Sequence, residues 1–429
     1  MSPGSNPFEG MPFFGDLLKM LGTQGPVQWD GARQLALSIA TGGEGEPNVD
    51  PMERIRFERL ARVADLQVAD ATGLSTSTTG RSVTVTPVTR SQWTLTTLDA
   101  YKPLIERMAM ALRPPADPGA APGPPTQLPT DDLGGDPTEA WLGQIMGLLS
   151  PMLLGMTTGS LVGHLATRSF GQFDLPIPRP PSDDLLVVAA NIESHAADWS
   201  MDGDDLRLWV CLHQLTHHAV LGVPHVRARL DELLGDYAGS FESDPDALGT
   251  KLGELDIDPT GGDPMARFQE LMGDPEVVLG AVRSRRQEEI LPWLEALVTV
   301  VVGYVDHIMD RVGSGLIGSY GQVTEAMRRR RVEAASSDRF VERLLGLDLT
   351  QDHFDRGRAF VEGIVTRAGT ESLERLWASP DDLPTPNEVT APGLWLARIG
   401  LDTGDLTEGD LAANELDIGD LDIGDLDDE

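Results

Sequence analysis

From Ala140 to Thr167 the chain reads AWLGQIMGLLSPMLLGMTTGSLVGHLAT, without a single Asp, Glu, Lys or Arg. A stretch this long and uncharged has to be buried, either inside a protein or in a bilayer. Pro151 interrupts it, and Gln144, Thr157, Thr158, Ser160 and His164 dilute it. It therefore predicts a buried helical hairpin of two short segments rather than one membrane-spanning helix. Gly155, Gly159 and Gly163 recur at intervals of four, which clears one helix face of side chains and permits a close helix contact.

The flanking sequence is mostly helical in pattern. Toward the N-terminus stand DLLKML, VQWDGARQLALSIAT and DPMERIRFERLARVADLQVADATG, the last with an acidic start and a Gly stop. Further helices are expected around residues 264–272, 284–312, 320–346 and 356–378. SVTVTPVTRSQWTLTTL alternates Val83, Val85, Trp93 and Leu95 around a proline and predicts a small hairpin or a pair of edge strands. LLVVAA, from Leu185, predicts one more short strand. The fold class is mainly α, within α+β, with minor strands.

Four regions follow: an N-terminal helical region with the hairpin over 1–112, a Pro/Gly-rich linker or loop over 113–139, a larger helical domain over 140–400, and an acidic tail over 401–429. The tail carries twelve acidic residues and no Lys or Arg from Asp402 onward, and it repeats LDIGD, too short and too charged to bury a core. Lys and Arg number 33 against 68 Asp and Glu, a formal charge of -35. That balance argues against nucleic acid and anionic membranes as partners. One cysteine, Cys211, forms no internal disulfide, and the first residues lack a basic segment ahead of an apolar one, so a cytoplasmic location is expected.

The chemistry-bearing feature is LHQLTHHAV, residues 212–220. His213 and His217 stand one helical turn apart, at the spacing of the metal-binding pattern H-E-x-x-H, but Gln214 holds the glutamate position. Both imidazoles share the helix face of Leu206, Trp209, Val210 and Val220, so both point inward. Two arrangements satisfy buried imidazoles: a shared zinc ion, or hydrogen bonds from backbone and carboxylates. His218, rotated about 100° from His217, and His225, beyond Pro224, are expected at the surface or behind the site. Asp202 or Ser200 caps this helix, and Gly222 with Pro224 ends it.

The arrangement of LLVVAANI, DDLRLWVCLHQLTHHAVLGVPHVRARL, GYVDHIMDRVG and LLGLDL resembles an actinobacterial family of zinc-dependent metalloproteases and candidate hydrolases. One branch of that family is associated with deazaflavin coenzyme biosynthesis. The resemblance spans roughly residues 5–400. It implies a zincin-like helical fold, zinc on His213 and His217, a catalytic base at position 214, and a third carboxylate ligand from a later Glu-Gly-aromatic motif. That motif falls on Val302, Gly303 and Tyr304, so base and carboxylate are both missing. A neutral amide accepts no proton near pH 7, and general acid–base catalysis is worth about 10²- to 10⁴-fold.

Asp306, one turn beyond Val302, and its neighbour His307 are the candidates to rebuild the third ligand or to serve as a structural pair. Arg328 to Arg331 spread around a helix and are expected on a solvated face, paired with local carboxylates. The sequence thus leaves two readings. One is a zinc-dependent peptide hydrolase with impaired catalysis. The other is a catalytically inactive pseudo-protease that acts as a scaffold for a peptide or protein partner.

Overall fold

The computed structural model describes residues 25–112, 137–243, 281–333, 342–347 and 349–401, with side chains of the helix from Pro137 described from residue 151 onward. The predicted helices at DLLKML and 264–272, most of the linker, and the acidic tail lie outside the described residues.

Helices α1 (Trp29–Thr41) and α2 (Pro51–Thr72) match two of the N-terminal patterns. Asp50 caps α2 by accepting from the Met52 N–H, Pro51 fits the first helical turn, and Gly73 closes it at φ 66°. Strand β1 (Thr84–Val88) follows, but the expected hairpin does not. Thr89 and Gln92 form a reciprocal capping box and start α3 (Arg90–Ala111), whose buried Trp93, Thr94, Thr97, Leu98 and Tyr101 follow a helical period. The capping signal overrides the alternation that suggested a second strand.

The uncharged segment is likewise not a hairpin. It forms one helix, α4 (Pro137–Arg168), with Pro151 inside it. Its glycine face packs backbone to backbone on α1: a Cβ added at Gly159 would lie 2.5 Å from the Ala32 carbonyl oxygen, and one at Gly155 would lie 2.7 Å from that of Gln28. At the proline, the N–H of Gln28, the residue before α1, donates to the Pro151 carbonyl at 3.0 Å and ties the start of α1 to the middle of α4.

Beyond α4, residues 169–183 lead to β2 (Asp184–Val188), which pairs parallel with β1 in the register Thr84 to Asp184 through Val88 to Val188. Parallel strands need a long crossover, here α3 and α4. The Val188 N–H donates to the Phe170 carbonyl, which ties the segment after α4 to this small sheet. Then come α5 (Ala189–Asp198), α6 (Gly203–Gly222) and α7 (Pro224–Gly239). A two-residue antiparallel pair joins β3 (Glu242–Ser243) to β4 (Ala281–Val282).

Helices α8 (Arg285–Leu316), α9 (Tyr320–Val332) and α10 (Gln351–Ala368) complete the core, followed by 3-10 turns and the short α11 (Pro386–Thr390) and α12 (Pro392–Arg398). The structure is mainly α with minor strands, as expected. Helix α8 is long and apolar enough to cross a membrane, yet 67% of its most apolar stretch is buried within the fold, against α2, α6, α7 and α10. At Gly303 it meets α10 at Gly357 so closely that a Cβ on either glycine would come within 2.3 Å of backbone.

Candidate functional site

Helix α6 runs through the centre of the molecule, packed by α2, α5, α7, α8 and α9. Asp202 sets its start by accepting from the Asp204 and Asp205 N–H groups at 2.8 and 3.1 Å. From Leu206 on, nearly every residue is buried, Cys211 included. A helix apolar on most faces can be buried on all of them, so any polar side chain in it has to find its partner inside the protein.

His213 and His217 meet that demand at a cavity of about 130 Å³, bordered by α6, α8, α9 and the segment 169–176. Their rings lie 4.4 Å apart between centroids. His213 stacks on Trp209 at 4.8 Å, and His217 lies parallel to Phe173 at 6.3 Å. The His217 Nδ1 is 3.1 Å from the His213 carbonyl oxygen, which fixes that nitrogen as the protonated one. Burial, then the nearby His217, Arg331 and Arg330, hold the His213 pKa well below the ordinary histidine value. Burial also pulls His217 down to about 4, opposed by its bond to the His213 carbonyl and by Asp306. Both rings are neutral at pH 7.

Gln214 sits where the base of a metalloprotease would stand, but its side chain is 1% exposed and fully engaged. Its Oε1 accepts from the Phe173 N–H at 2.8 Å, and its Nε2 donates to Asp174 Oδ1 at 3.3 Å. Only one amide orientation satisfies both neighbours. Asp174 also accepts from the Phe170 and Gly171 N–H groups and from Arg330 at 3.2 Å. Gly171 lets this segment lie on the amide: a Cβ there would fall 2.4 Å from the Gln214 Cδ. Gln214 is thus a brace between α6 and the segment 170–174. A glutamate in the same place would lack the donor and face Asp174 with a second carboxylate.

Asp306 lines the same cavity, and both its oxygens accept from Arg331 at 2.7 Å. The Arg331 guanidinium also lies 4.0 Å over the Phe354 ring. His307 is not at the cavity. It lies among the charges of Arg311, Asp310 and Glu362, and burial, then Arg311, lowers its pKa. Asp306 and His307 therefore act separately.

The arginine run differs from its expected solvated face. Arg329 does pair with Glu325 at the surface, but Arg330 and Arg331 turn inward to the cavity. His218 is also not at the surface: it is 5% exposed, with Nε2 3.5 Å from Asp183. Val302, at the position of the missing carboxylate, borders the cavity as a buried apolar residue.

Whether these side chains suit a zinc ion can be tested on the donor set. His213 and His217 suit it, and the backbone contact at His217 Nδ1 is the kind that orients a metal-bound imidazole. The remainder does not. Among the described residues no group of three or more His, Cys, Asp and Glu side chains is placed to hold a metal. Asp306 is neutralised by Arg331, and Arg330 and Arg331 bring two positive charges to the cavity where a dication would have to reside. A catalytic zinc usually keeps three protein ligands, and this donor set does not fit one.

The sequence model of the zincin-like metallopeptidase family matches residues 27–396, and the chain belongs to that family. Its fold is similar to the crystal structure of a candidate hydrolase with a novel fold from Chloroflexus aurantiacus, with a TM-score of 0.58 and 22% identity over 88% of this chain and 99% of that one. At that identity the likeness is one of fold. No match was found among curated proteins.

Proposed function

We propose that this member of the zincin-like metallopeptidase family does not hydrolyse peptides, and that its histidine cleft binds a peptide or protein segment without cutting it. The observation that carries the reading is the bidentate Asp306–Arg331 pair beside the histidines. In it a guanidinium supplies the positive charge that a metal would bring, and Asp306, the carboxylate one helical turn from Val302, is consumed. The engagement of Gln214 with Phe173 and Asp174 supports the same reading, because no proton acceptor stands at the base position.

The orientation of His217 by a backbone carbonyl favours a second reading, a weak zinc-dependent peptidase that holds the ion on two histidines. The two are separated by incubating the full chain with a peptide library, with and without added zinc, and reading cleavage by mass spectrometry beside a His213→Ala control. The binding reading expects no cleavage under either condition. Zinc-stimulated cleavage that disappears in the control would establish the peptidase. The buried, unpaired Cys211 accords with a reducing cytoplasm as the location, which belongs to the same proposal.

A further inference from the structure

A second cavity, of about 280 Å³, adjoins the first and shares Arg168, Phe170 and Arg330 with it. Three guanidiniums from three elements border it: Arg90 at the start of α3, Arg168 at the end of α4 and Arg330 on α9. Nothing in the composition makes such a cluster a by-product, since the chain has twice as many acidic as basic side chains.

Two of the three are held in place with donors to spare. Arg90 donates through Nε to the Asn191 Oδ1 at 2.7 Å, and Asn191 is itself fixed by donating to the Ala166 and Ser169 carbonyls. The terminal nitrogens of Arg90 have no hydrogen-bond partner among the described residues. Arg330 lies 3.9 Å over the Phe170 ring, and one terminal nitrogen donates to the Arg168 carbonyl and to Asp174. Its Nε and other terminal nitrogen are likewise without a partner among the described residues. Asp198 and Glu333 also border the cavity, but neither pairs with Arg90 or Arg330. His195 adds a buried Nε2 without a partner among the described residues, on a ring kept neutral by burial and by Arg330.

We propose that this cavity binds the oxyanion of a ligand, a carboxylate or a phosphate group, through Arg90 and Arg330, beside the positive charge of Arg168. The pre-positioned guanidiniums of Arg90 and Arg330, with unused in-plane donors, match the planar oxygens of a carboxylate and the oxygens of a phosphate, and they forgo little motion on binding. A ligand lying in the histidine cleft can place an anionic end here, because Arg330 forms a wall of both cavities. The assignment does not depend on whether that neighbouring cleft cuts peptides.

The test titrates the full chain with inorganic phosphate and, separately, with acetate, at constant ionic strength, by calorimetry. Saturable binding of at least one anion is expected, and the preferred anion names the group. Arg90→Gln should weaken it roughly 10-fold or more, the scale of one charged hydrogen-bonding group. Circular dichroism and the unliganded melting temperature report whether that variant folds. Ser194→Glu, an exposed change at the same cavity, should weaken binding similarly without removing any native contact, so a failure of Arg90→Gln to fold leaves the test intact. Arg285→Gln, at a side chain 93% exposed, should change nothing. The proposal is overturned if neither anion binds saturably, or if Arg285→Gln weakens binding as much as the cavity variants do.

Discussion

His217 and His218 are neighbours on α6, and the two sides of the helix they serve are built on different rules. On the His218 side, a single carboxylate gathers one loop around itself. Asp183 accepts from the Ser77 hydroxyl at 2.9 Å, from the Thr78 N–H and hydroxyl at 2.6 and 2.9 Å, from the Thr79 N–H at 3.0 Å and its hydroxyl, and from the Arg81 N–H at 3.3 Å. Burial opposes its charge, but these donors prevail and hold its pKa well below the usual carboxylate range. On the His217 side, charges are paired across separate elements, Asp306 with Arg331 and Asp174 with Arg330, and two imidazoles are left facing a cavity. A saturated cluster has no capacity left for a ligand, so the first side is a latch. The second retains polar groups that face open space, as a binding site must.

The largest loss of stability is expected at the latch. Asp183→Ala orphans several buried donors at once and is expected to destabilise the protein by about 3 kcal/mol or more in urea unfolding. Because the folded pKa of Asp183 is depressed, its contribution is complete above the ordinary carboxylate range and is lost as pH falls below it. Arg331→Met comes next. It strands Asp306, which is 12% exposed, for an expected loss of about 2–3 kcal/mol, and adding Asp306→Leu should recover most of it. Recovery would mark the pair as mutual compensation, whereas no recovery would mean that Arg331 has another partner.

Gln214→Glu is expected to cost about 1–2 kcal/mol, through a lost donor and a second carboxylate at Asp174, and to yield no peptide hydrolysis. Gain of hydrolysis would mean that position 214 is a silenced base and not a brace. The smallest effect at neutral pH belongs to His217. Its folded pKa, down to about 4, lies below the ordinary value, so the unfolded chain takes up the proton first and stability declines as pH falls from about 6.5 toward 4. His217→Gln should flatten that part of a stability-against-pH curve and leave stability at pH 7.5 nearly unchanged.

How far the sequence exposes this architecture depends on the range of each signal. The glycine ladder of α4 and the inward pair His213 and His217 are local, periodic patterns, and the helix geometry that makes them legible is the geometry observed. No hairpin forms after Val83 because Thr89 and Gln92 cap a helix within the alternating stretch, a local signal that outweighs the longer pattern. The hairpin expected at Pro151 failed because packing on α1 keeps a continuous helix through the proline. The partners in the cleft were hidden for another reason. Arg331 meets Asp306 and Arg330 meets Asp174 only after α9 folds against the helices before it, and no spacing along the chain encodes that approach.

With the Arg331 guanidinium completing the charge of the histidine cleft, as proposed, the cleft has no need of a metal. Zinc affinity, measured on the full chain by competition with a chromophoric chelator beside a His213→Ala control, decides between the two. No stoichiometric zinc and no difference between the two proteins are expected. About one tightly held zinc per chain that vanishes in the control would overturn the guanidinium reading and return the cleft to the metallopeptidases in chemistry as well as in fold.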